Sequence, residues 1–430
     1  MKEETAGKPI INLPAPEVMI YPMQQHLGAP AQPCVNVGDR VLMGQKIGEA
    51  QGYVSANIHS SVSGTVEAIE QRLHPNGSMV TTIVIANDGK DELHPDIKPR
   101  EDAESLSAKE IVDIVRDAGV VGMGGATFPT HVKLSPPPDK NIEYVIINGA
   151  ECEPYLTSDH RAMLETAGEI IAGLKLLMKI FNLKTGYIAI EENKPDAIEH
   201  MMEWAARETE VVIKVVKLKT KYPQGSEKHL IKAVTGREVP PGKLPMDVGV
   251  IVDNVDTAAA IARAVYMGEP VLKRIVTVGG DCIQNPSNFR VRVGTSVEYV
   301  LEKSGTFKKT PAKIIMGGPM MGFCLTETNV PIIKGSAGIL AFGAAVSKAH
   351  APGSCLRCGR CVTGCPMNLL PNVLKSASMA GDMEKLEKLN IMDCLACGSC
   401  TYVCPTEQNP LQYIKTGKAK YMDYQRKVKS

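Results

Sequence analysis

The chain has 430 residues, a formal net charge of +1 and only 4% aromatic residues. One hydrophobic core cannot organise a chain of this length, so we expect three or four domains. The near-zero net charge and the few aromatic side chains argue against a nucleic-acid-binding protein.

The sequence predicts neither export nor membrane insertion. No apolar run approaches the ~20 residues that a membrane-spanning helix requires, and the first residues, "MKEETAGKPI", lack the apolar segment of a signal peptide. The twelve cysteines indicate metal binding in a reducing compartment rather than a disulfide framework. We therefore expect a soluble, cytoplasmic protein, and docking on a membrane complex stays open.

The first predicted domain is a small β domain. Residues from about 35 to 87 alternate apolar and polar, and Gly-Asp, Gly-Gln and Ser-Gly pairs separate short Val/Ile runs. This pattern is typical of a small β sandwich or barrel. The stretches "GDRVLMGQKIGE" and "SSVSGTV" resemble the two hairpins of biotinyl/lipoyl carrier domains. A carrier needs a lysine at the hairpin tip, where this chain has "AQGYVSA", so we expect a scaffold.

A charged linker with prolines, "DELHPDIKPREDAES", separates this β domain from alternating helices and strands. Helices are predicted for residues 107–119, 159–181, 195–207 and 256–267, and strands for residues 142–148, 185–191, 211–218 and 247–252. Helices that alternate with apolar strands predict an α/β domain with a largely parallel sheet.

The next region, from about 271 to 335, returns to short β runs around one helix. The β runs are "RIVTVGGD", "NFRVRVG" and "AKIIMGG", and the helix is "SVEYVLEKSG". This pattern predicts a compact α+β module. The chain beyond about residue 345 forms a cysteine module.

Two cysteine runs, "CLRCGRCVTGCP" and "CLACGSCTYVCP", begin at Cys355 and Cys394. Both have the C-x₂-C-x₂-C-x₃-C-P spacing of two-cluster ferredoxins, in which three cysteines bind one [4Fe–4S] cluster and the fourth binds the other. The predicted ligands are Cys355, Cys358, Cys361 and Cys404 for one cluster, and Cys394, Cys397, Cys400 and Cys365 for the other. Zinc is the alternative, but a Cys₄ zinc site usually takes two C-x₂-C pairs.

The residues between the two runs have apolar positions at helical spacing. They predict two short helices broken at Gly381, and hence an α-helical double-cluster module. Four cysteines lie outside the runs and are expected to be buried free thiols. They are Cys34, Cys152, Cys282 and Cys324.

The α/β domain contains a glycine-rich stretch, "AGVVGMGGATFPTHVKL". Its glycines, Gly119, Gly122, Gly124 and Gly125, would let backbone N–H groups approach a phosphate at the start of a helix. The stretch is not G-x-G-x-x-G, so a tight turn without a ligand is the alternative.

Three further polar segments, "NGAECEPY", "YPQGSEKH" and "DNVDTA", follow predicted strands. Ligands of open α/β sheets bind outside the carboxyl ends of strands, where these loops would cluster. Hydrogen bonds to a ribityl chain or an isoalloxazine would suit Asn148, Asp253, Asn254 and Thr257, and a phosphate would suit Lys133. The carboxylates suit the ribose hydroxyls of a nicotinamide nucleotide, with solvated loop charges as the alternative. They are Glu151, Glu153 and Glu227.

The motifs "GMGGATFPT", "NGAECEPYLTSDHRAM", "YPQGSEKHL", "DNVDTA" and "GGPMMG" occur in this order before the two cysteine runs. Over nearly the whole chain they resemble the C subunit of the Rnf electron-transport complex. The α/β part is more distantly similar to the flavin-bearing, NADH-oxidising subunit of respiratory complex I. The resemblance implies non-covalent FMN, an NADH site stacked over it, and iron–sulfur relays.

The resemblance also implies roles for individual residues. FMN would be held by Gly122, Gly124, Gly125, Lys133, Asn148, Asp253, Asn254 and Thr257. NADH would be faced by Phe128, Glu151, Glu153 and Glu227. Two positions depart from the complex I pattern: Ala150 replaces an acidic residue, and Ser226 with Glu227 replaces a pair of glutamates.

The domain organisation follows from the same resemblance. The expected fold is multidomain α/β: a lipoyl-like barrel-sandwich domain at 1–100, a Rossmann-like FMN/NADH-binding α/β domain at 101–268, a soluble-ligand-binding β-grasp domain at 269–340, and a helical ferredoxin-type domain with two [4Fe–4S] clusters at 341–430. The implied function is electron exchange between NAD(H) and ferredoxin-type partners, in a peripheral subunit of an ion-translocating ferredoxin:NAD oxidoreductase complex. The implied partners are a ferredoxin-like iron–sulfur subunit and membrane-embedded subunits, on the cytoplasmic side of the bacterial cell membrane.

Two other functions remain as alternatives. One is a stand-alone flavin and iron–sulfur reductase resembling cobalamin reductase, in which the β unit does not precede the flavin domain; the order found here favours the Rnf interpretation. The other is a non-enzymatic electron-carrying scaffold with an empty flavin pocket. The basic end of the chain, "KTGKAKYMDYQRKVKS", is expected to be either a solvated, frayed terminus or a docking tail for an acidic partner or anionic lipid.

Overall fold

The computed structural model describes residues 1–347 and 351–429. It separates into a larger unit, Met1–Arg237 with Pro245–Val346, and a helical unit, which holds Glu238–Leu244 and the chain from Ser347 onward. Within the described residues, no helix is both long and apolar enough to cross a lipid bilayer.

The first residues form an arm with one helical turn, α1 (Glu3–Ala6), and a two-residue strand, β1 (Ile11–Asn12). We call residues 2–12 the N-terminal arm. β1 pairs in parallel with residues 289–290, far along the chain. Thr5 is buried, and its hydroxyl lies 2.7 Å from that of Thr157. The arm is therefore held by long-range contacts.

The β domain that follows consists of two small antiparallel sheets. Its strands are β2 (Val18–Pro22), β3 (Gln32–Pro33), β4 (Arg40–Val41), β5 (Lys46–Glu49), β6 (Ile58–His59), β7 (Gly64–Leu73) and β8 (Met79–Asn87). The sheets have the orders β2-β8-β7-β4 and β3-β5-β6. Alternate residues such as Val66, Ile83 and Ile85 fill a core between them, as the alternating sequence pattern predicts.

The α/β domain contains a four-stranded parallel sheet with the order β11-β10-β9-β12. Its strands are β9 (Tyr144–Gly149), β10 (Thr185–Glu191), β11 (Val212–Leu218) and β12 (Val250–Asn254). Its helices are α2 (Ala108–Asp117), α3 (Thr130–Lys133), α4 (Ser158–Glu165), α5 (Ala167–Ile180), α6 (Pro195–Ala205), α7 (Glu227–Thr235) and α8 (Val255–Met267), with 3₁₀ turns at Ala103–Ser105 and Pro245–Val248. The alternation predicted from sequence is confirmed.

The prediction of one long helix over residues 159–181 is wrong, because the chain breaks between α4 and α5 at Thr166 (φ −132°, ψ 27°). The Thr166 hydroxyl donates to the carbonyl of Ala162 at 2.7 Å, and such a bond competes with helix propagation. Gly168 then lets the new helix approach the Trp204 ring, where a Cβ would lie 3.0 Å from the ring.

The α+β module is a mixed sheet with one helix, α9 (Val297–Lys303). Its strands are β13 (Lys273–Gly279), β14 (Ser287–Arg292), β15 (Lys313–Met316), β16 (Phe323–Cys324) and β17 (Gly338–Phe342). The order is β1-β14-β13-β17-β15-β16, so the N-terminal arm supplies one edge strand. The parallel pair of β13 and β17 lies at the centre, between antiparallel neighbours, which is the arrangement of a β-grasp fold.

The helical unit surrounds the cysteines with short helices. They are α10 (Arg360–Thr363), α11 (Pro371–Ala380), α12 (Met383–Lys388), α13 (Ser399–Tyr402) and α14 (Pro410–Lys429), with a 3₁₀ turn at Ile391–Asp393. Gly381 ends α11 in the left-handed conformation (φ +69°), so the predicted break between two short helices is confirmed. The basic end of the chain forms most of α14, and its Ile414 and Tyr421 are buried in the core of the unit.

Candidate functional site

Four loops meet at the carboxyl edge of the parallel sheet. The strands end in register, with Asn254 of β12 beside Asn148 of β9, and Ile190 of β10 beside Gly149. The loops after β9, β11 and β12 carry the three polar segments singled out in the sequence, and the glycine loop (residues 119–129) joins α2 to α3. The structure thus brings these segments to one edge, where ligands of open α/β sheets bind.

The glycine loop is held by hydrogen bonds at Gly122 and Met123, and it borders open space at Gly125. The Met123 N–H donates to the Thr257 hydroxyl at 2.9 Å, and the Gly122 N–H donates to the Phe128 carbonyl at 2.8 Å. Gly125 has a φ of +114°, and a Cβ there would meet no atom within 4 Å. Its backbone therefore borders free space that a phosphate or a ring can enter.

The polar side chains expected to bind FMN brace the loops instead of standing free. Asn148 donates to the Gly225 carbonyl at 2.9 Å, which ties the loop after β9 to the loop after β11. Asn254 accepts from the Asp256 N–H and so caps α8. Thr257, already engaged by Met123, lies one turn further along α8. These residues fix the relative positions of the loops.

Lys133 and two carboxylates form a charged group at the same edge. Its Nζ donates to the Val252 carbonyl at 2.6 Å and lies 3.4 Å from Asp253 and 3.6 Å from Glu227. Burial opposes the charge of Lys133, but the two carboxylates outweigh it and raise its pKa. Burial also raises the pKa of Asp253, and the nearby charge of Lys133 only partly offsets this rise. Lys133 stays charged and suits an anion.

The two glutamates of "NGAECEPY" face the protein. Glu151 accepts from the Asp159 N–H at 2.7 Å, at the start of α4. Glu153 accepts from the N–H groups of Met320 and Met321, at 3.1 and 2.8 Å, in the "GGPMMG" loop of the β-grasp module. Burial raises the pKa of Glu153. Four residues were predicted to face NADH. Phe128 and Glu227 have partly exposed side chains at this edge of the sheet. Glu151 and Glu153 bind backbone groups of the protein instead.

Asp159 is a site residue that the sequence reasoning missed, although the motif "NGAECEPYLTSDHRAM" contains it. Its Oδ2 accepts from Asn254 Nδ2 at 2.7 Å. The charged groups facing it are Glu151, Arg274 and Asp256. Burial, followed by the charge of Glu151, raises the pKa of Asp159 to about 7. Only the fold reveals this, because Asn254 is 95 residues away in sequence.

The geometry of this edge fits FMN. The glycine loop offers unobstructed backbone, Lys133 offers a charged amine, and the side-chain oxygen of Gln224, in the loop after β11, is buried without a partner among the described residues. Backbone N–H groups and an ammonium are the donors that a flavin phosphate takes.

The helical unit brings together cysteines from both runs. A cavity there is lined by Cys365 together with Cys394, Cys397 and Cys400. Burial, with smaller contributions from the other three thiols of this group, raises the pKa of Cys400 to about 12. Burial also raises the pKa of Cys361, with contributions from Cys404 and Cys355. The cavity thus joins three cysteines of the second run to the last cysteine of the first, and Cys355 and Cys361 lie near Cys404 of the second run. Crossed ligation of two [4Fe–4S] clusters requires a grouping of this kind.

The cysteines outside the runs are mostly not buried. Cys282 is buried, Cys152 is half-buried, and Cys34 and Cys324 are exposed. The expectation of four buried thiols is therefore wrong for the two exposed ones, which lie on or beside the short strands β3 and β16.

Family models match four successive parts of the chain. They are an RnfC barrel-sandwich hybrid domain at residues 1–90, a Nuo51 FMN-binding domain at 115–263, an SLBB domain at 275–323 and a 4Fe-4S dicluster domain at 354–408.

Curated relatives match nearly the whole chain, and each is the C subunit of an oxidoreductase complex. That of the Na(+)-translocating ferredoxin:NAD(+) oxidoreductase complex of Acetobacterium woodii is 46% identical, over 91% of this chain and 88% of its own. That of the proton-translocating ferredoxin:NAD(+) oxidoreductase complex of Clostridium ljungdahlii is 48% identical, over 96% of this chain and 90% of its own. That of the ion-translocating oxidoreductase complex of Rhodobacter capsulatus is 44% identical, over 91% of this chain and 75% of its own.

A solved structure of an NAD+-reducing [NiFe]-hydrogenase in the air-oxidised state is similar with a TM-score of 0.54 and 18% sequence identity. The match covers 74% of this chain and 66% of that chain. At this identity the likeness concerns the fold alone.

Proposed function

Because the chain belongs to the RnfC family of C subunits of ion-translocating ferredoxin:NAD oxidoreductase complexes, we propose that it exchanges electrons between NAD(H) and ferredoxin-type partners. The family and the fold class expected from the motifs are confirmed. Its cofactors are FMN and two [4Fe–4S] clusters. When bound, FMN would supply the link between the transfer of one hydride, which carries two electrons, and the transfer of single electrons to the [4Fe–4S] clusters.

One observation carries this proposal: the glycine loop and three strand-end loops, far apart in sequence, meet at one edge of the sheet. Gly124 and Gly125 would present backbone N–H groups to the FMN phosphate, with Lys133 as its charge partner. The Gly122 N–H already donates to the Phe128 carbonyl, so Gly122 would act by holding the shape of the loop. Asn148, Asn254 and Thr257 would act by holding these loops at fixed positions, and Asp253 by keeping Lys133 charged.

We assign direct contact with the nucleotide to the partly exposed residues of this edge, and a supporting role to the two glutamates that bind backbone groups. Phe128 and Glu227 are partly exposed at the edge, where a second ligand would lie over the flavin. Glu151 and Glu153 are both engaged by backbone N–H groups, so they would orient the loop that borders the nucleotide. A carboxylate that already accepts such bonds has less capacity for ribose hydroxyls.

For the clusters, we assign Cys355, Cys358, Cys361 and Cys404 to one and Cys394, Cys397, Cys400 and Cys365 to the other. The grouping of the cysteines in the helical unit supports this crossed ligation. Apolar residues of the cavity, among them Leu369, Leu374 and Ile414, would exclude water from the second cluster, which influences its reduction potential.

The chain is a subunit of a multi-subunit complex. We assign as partners a ferredoxin-like iron–sulfur subunit and membrane-embedded subunits, and as location the cytoplasmic face of the bacterial cell membrane. The translocating activity named for the relatives supports membrane partners, and the basic α14 offers a surface for an acidic partner.

Anaerobic reconstitution of the full chain with iron, sulfide and FMN, followed by titration with NADH, tests the proposal. We expect about eight iron atoms per chain, one FMN, and bleaching first of the flavin and then of the cluster absorbance. Full iron without flavin binding would overturn it in favour of an electron-carrying scaffold. Rapid cobalamin reduction by the isolated chain, without association with membranes, would favour the stand-alone reductase.

A further inference from the structure

The N-terminal arm reaches the loop after β9 through one side chain. Lys2 Nζ donates to the Glu151 carbonyl at 2.5 Å and lies 3.6 Å from the Glu151 carboxylate. The side chains of Lys2 and Glu151 are only 22% and 4% exposed, so water screens this contact weakly. A residue outside the α/β domain therefore holds the main chain of the candidate nucleotide site.

A second lysine grips the preceding residue of the same loop. Lys194, which is buried, donates from Nζ to the Ala150 carbonyl at 2.6 Å. Two consecutive carbonyls, those of Ala150 and Glu151, thus each accept from an ammonium group. Hydrogen bonds of this kind are charge-assisted and stronger than those between neutral groups. The loop is held from two sides, by the turn that follows β10 and by the N-terminal arm.

The backbone at this point needs such support. Glu151 has a φ of +47°, which is the left-handed region that residues with a Cβ rarely adopt. Residues held there persist where surrounding contacts determine the conformation, and they cluster at ligand sites. Lys2 binds the carbonyl of the strained residue itself, so its loss frees the peptide that follows.

The charge of Lys2 also reaches neighbouring carboxylates. Burial raises the pKa values of Glu153 and Glu191, and Lys2 counteracts that rise in both. Without Lys2 this corner of the site would lose a positive charge, whereas a nicotinamide dinucleotide carries a negatively charged pyrophosphate. Electrostatic repulsion and a loosened loop would therefore both weaken nucleotide binding.

We propose that Lys2 is a positioning residue for NAD(H): by binding the Glu151 carbonyl, the N-terminal arm presets the loop after β9 for the dinucleotide. This inference rests on the proposed function. The glycine loop is braced by Thr257 and not by the arm, so FMN binding does not depend on Lys2. Loss of Lys2 should therefore lower the affinity for the nucleotide and leave the affinity for FMN unchanged.

The test compares three variants of the full reconstituted chain with the wild type: Lys2→Met, Lys2→Arg and Lys8→Met. Lys8 is a matched control, because it lies in the same arm but donates to the Pro286 carbonyl, away from the loop. The arm should stay docked in all of them, since Thr5 and β1 hold it. KM and kcat for NADH are measured with an artificial acceptor, beside FMN content.

We expect Lys2→Met to raise KM for NADH about tenfold, the equivalent of about 1.4 kcal/mol, with kcat and FMN content within twofold of wild type. Lys2→Arg should recover most of the affinity, and Lys8→Met should behave like wild type. An unchanged KM in Lys2→Met, or an equal rise of KM in Lys8→Met, would overturn the proposal for Lys2. The proposed function would still stand in that case, provided that the wild type oxidises NADH. A wild type that does not oxidise NADH would overturn both.

Discussion

The α/β domain and the helical unit prepare their sites in opposite ways. The α/β domain packs a continuous apolar core, including Ile147, Leu174 and Ile261, beneath its four loops. In the helical unit the core is small, and Cys365 and Cys394 of the candidate ligands pack directly against it. The flavin site is therefore built on a fold that is complete without its cofactor, whereas the clusters contribute to the fold that binds them.

Removing the metal gives the largest effect and tests this comparison directly. Chain prepared without iron and sulfide should lose helical structure from residues 351–429, because metal binding and folding are coupled in small metal-binding modules. Hydrogen exchange should show at least about tenfold weaker protection of α11 and α14, and unchanged protection of β9 and β10. Equal protection in both preparations would show that the helical unit is as self-sufficient as the α/β domain.

A single cysteine change separates the two clusters within the helical unit. Cys365→Ser should lower the iron content from about eight to about four atoms per chain, because it removes a ligand of the cluster bound by the second run. Cys324→Ser, at an exposed cysteine outside the runs, is the control. Iron analysis and paramagnetic spectra provide the measurement.

Combining Cys365→Ser with a second change identifies the cluster that is lost. Added Cys397→Ser should cost little further iron, whereas added Cys358→Ser should remove nearly all of it. The reverse pattern would mean that each run binds its own cluster, and the crossed assignment would be wrong.

Sequence reasoning was most successful where structure and chemistry are local. The cysteine spacing, the break at Gly381 and the alternation of helices and strands each follow from neighbouring residues. The bend at Thr166 was missed because helical periodicity continues through it, while the cause is one hydroxyl and the distant Trp204 ring. Propensity could not reveal that tertiary contact.

The candidate flavin site was predicted as a set of loops but not as a set of contacts. The four loops meet as expected, since parallel strands end at one edge. The engagement of Glu153 by the β-grasp loop and of Glu151 by Lys2 joins residues more than 140 positions apart. A single sequence carries no pattern that links such positions.

In the flavin domain, a change that excludes the cofactor should leave the fold intact. A Cβ at Gly124 would lie 3.5 Å from Asn254 Cβ, an ordinary contact, so Gly124→Ala is tolerated. The two further methyl groups of Gly124→Val would occupy the space above the loop and weaken FMN binding at least about tenfold. Flavin fluorescence after gel filtration measures the occupancy, and the iron content should not change.

Gly124→Ala serves as the graded control for this prediction, with FMN binding between that of wild type and Gly124→Val. Normal flavin content in the valine variant would place the phosphate elsewhere. Loss of iron in either variant would show that the flavin domain and the clusters do not fold independently.

Asp159 predicts a smaller, pH-dependent effect on the same domain. Its pKa, raised to about 7, means that the native state holds a proton that the unfolded chain releases near pH 4. The unfolded state therefore binds fewer protons between pH 4 and 7, and stability falls as pH rises through this window. Asp159→Asn removes this contribution, which partial exposure limits to about 1 to 2 kcal/mol at pH 8.

Thermal unfolding at pH 5 and pH 8 provides the measurement. Between pH 5 and pH 8, the unfolding temperature of Asp159→Asn should fall by a few degrees less than that of the wild type, at about 3 °C per kcal/mol for a domain of this size. Asp113→Asn is the control without pH dependence in this range, because the hydrogen bond from Lys109 lowers the pKa of Asp113 and keeps it ionised at both pH values. Identical pH dependence in wild type and Asp159→Asn would show that Asp159 does not hold a proton in the native state.

The smallest effect concerns the basic surface of α14 in the helical unit. Because α14 contributes to the core of that unit, its role in docking is tested by substitution and not by deletion. Deleting the last sixteen residues would remove Tyr421 from the core, and Lys418, which donates to the Cys394 carbonyl at 2.8 Å. Exposed charges on α14 can be changed without that damage, at Lys420, Arg426 and Lys427. We expect glutamine at all three to weaken binding to vesicles containing phosphatidylglycerol at least about tenfold at low salt, because each basic residue near an anionic surface contributes up to about 1 kcal/mol before screening. The difference should vanish as the Debye length falls to about 3 Å at 1 M salt.

The matched control replaces three exposed lysines of the larger unit, Lys217, Lys219 and Lys308, with glutamine. This variant has the same net charge as the α14 variant, so it separates a local surface from the total charge of the molecule. NADH oxidation with an artificial acceptor should be unchanged in both, since neither set touches the candidate flavin or cluster residues. Equal loss of vesicle binding in the two variants would mean that net charge alone drives association. Unchanged binding of the α14 variant at every salt concentration would leave α14 as a structural helix whose basic face is solvated.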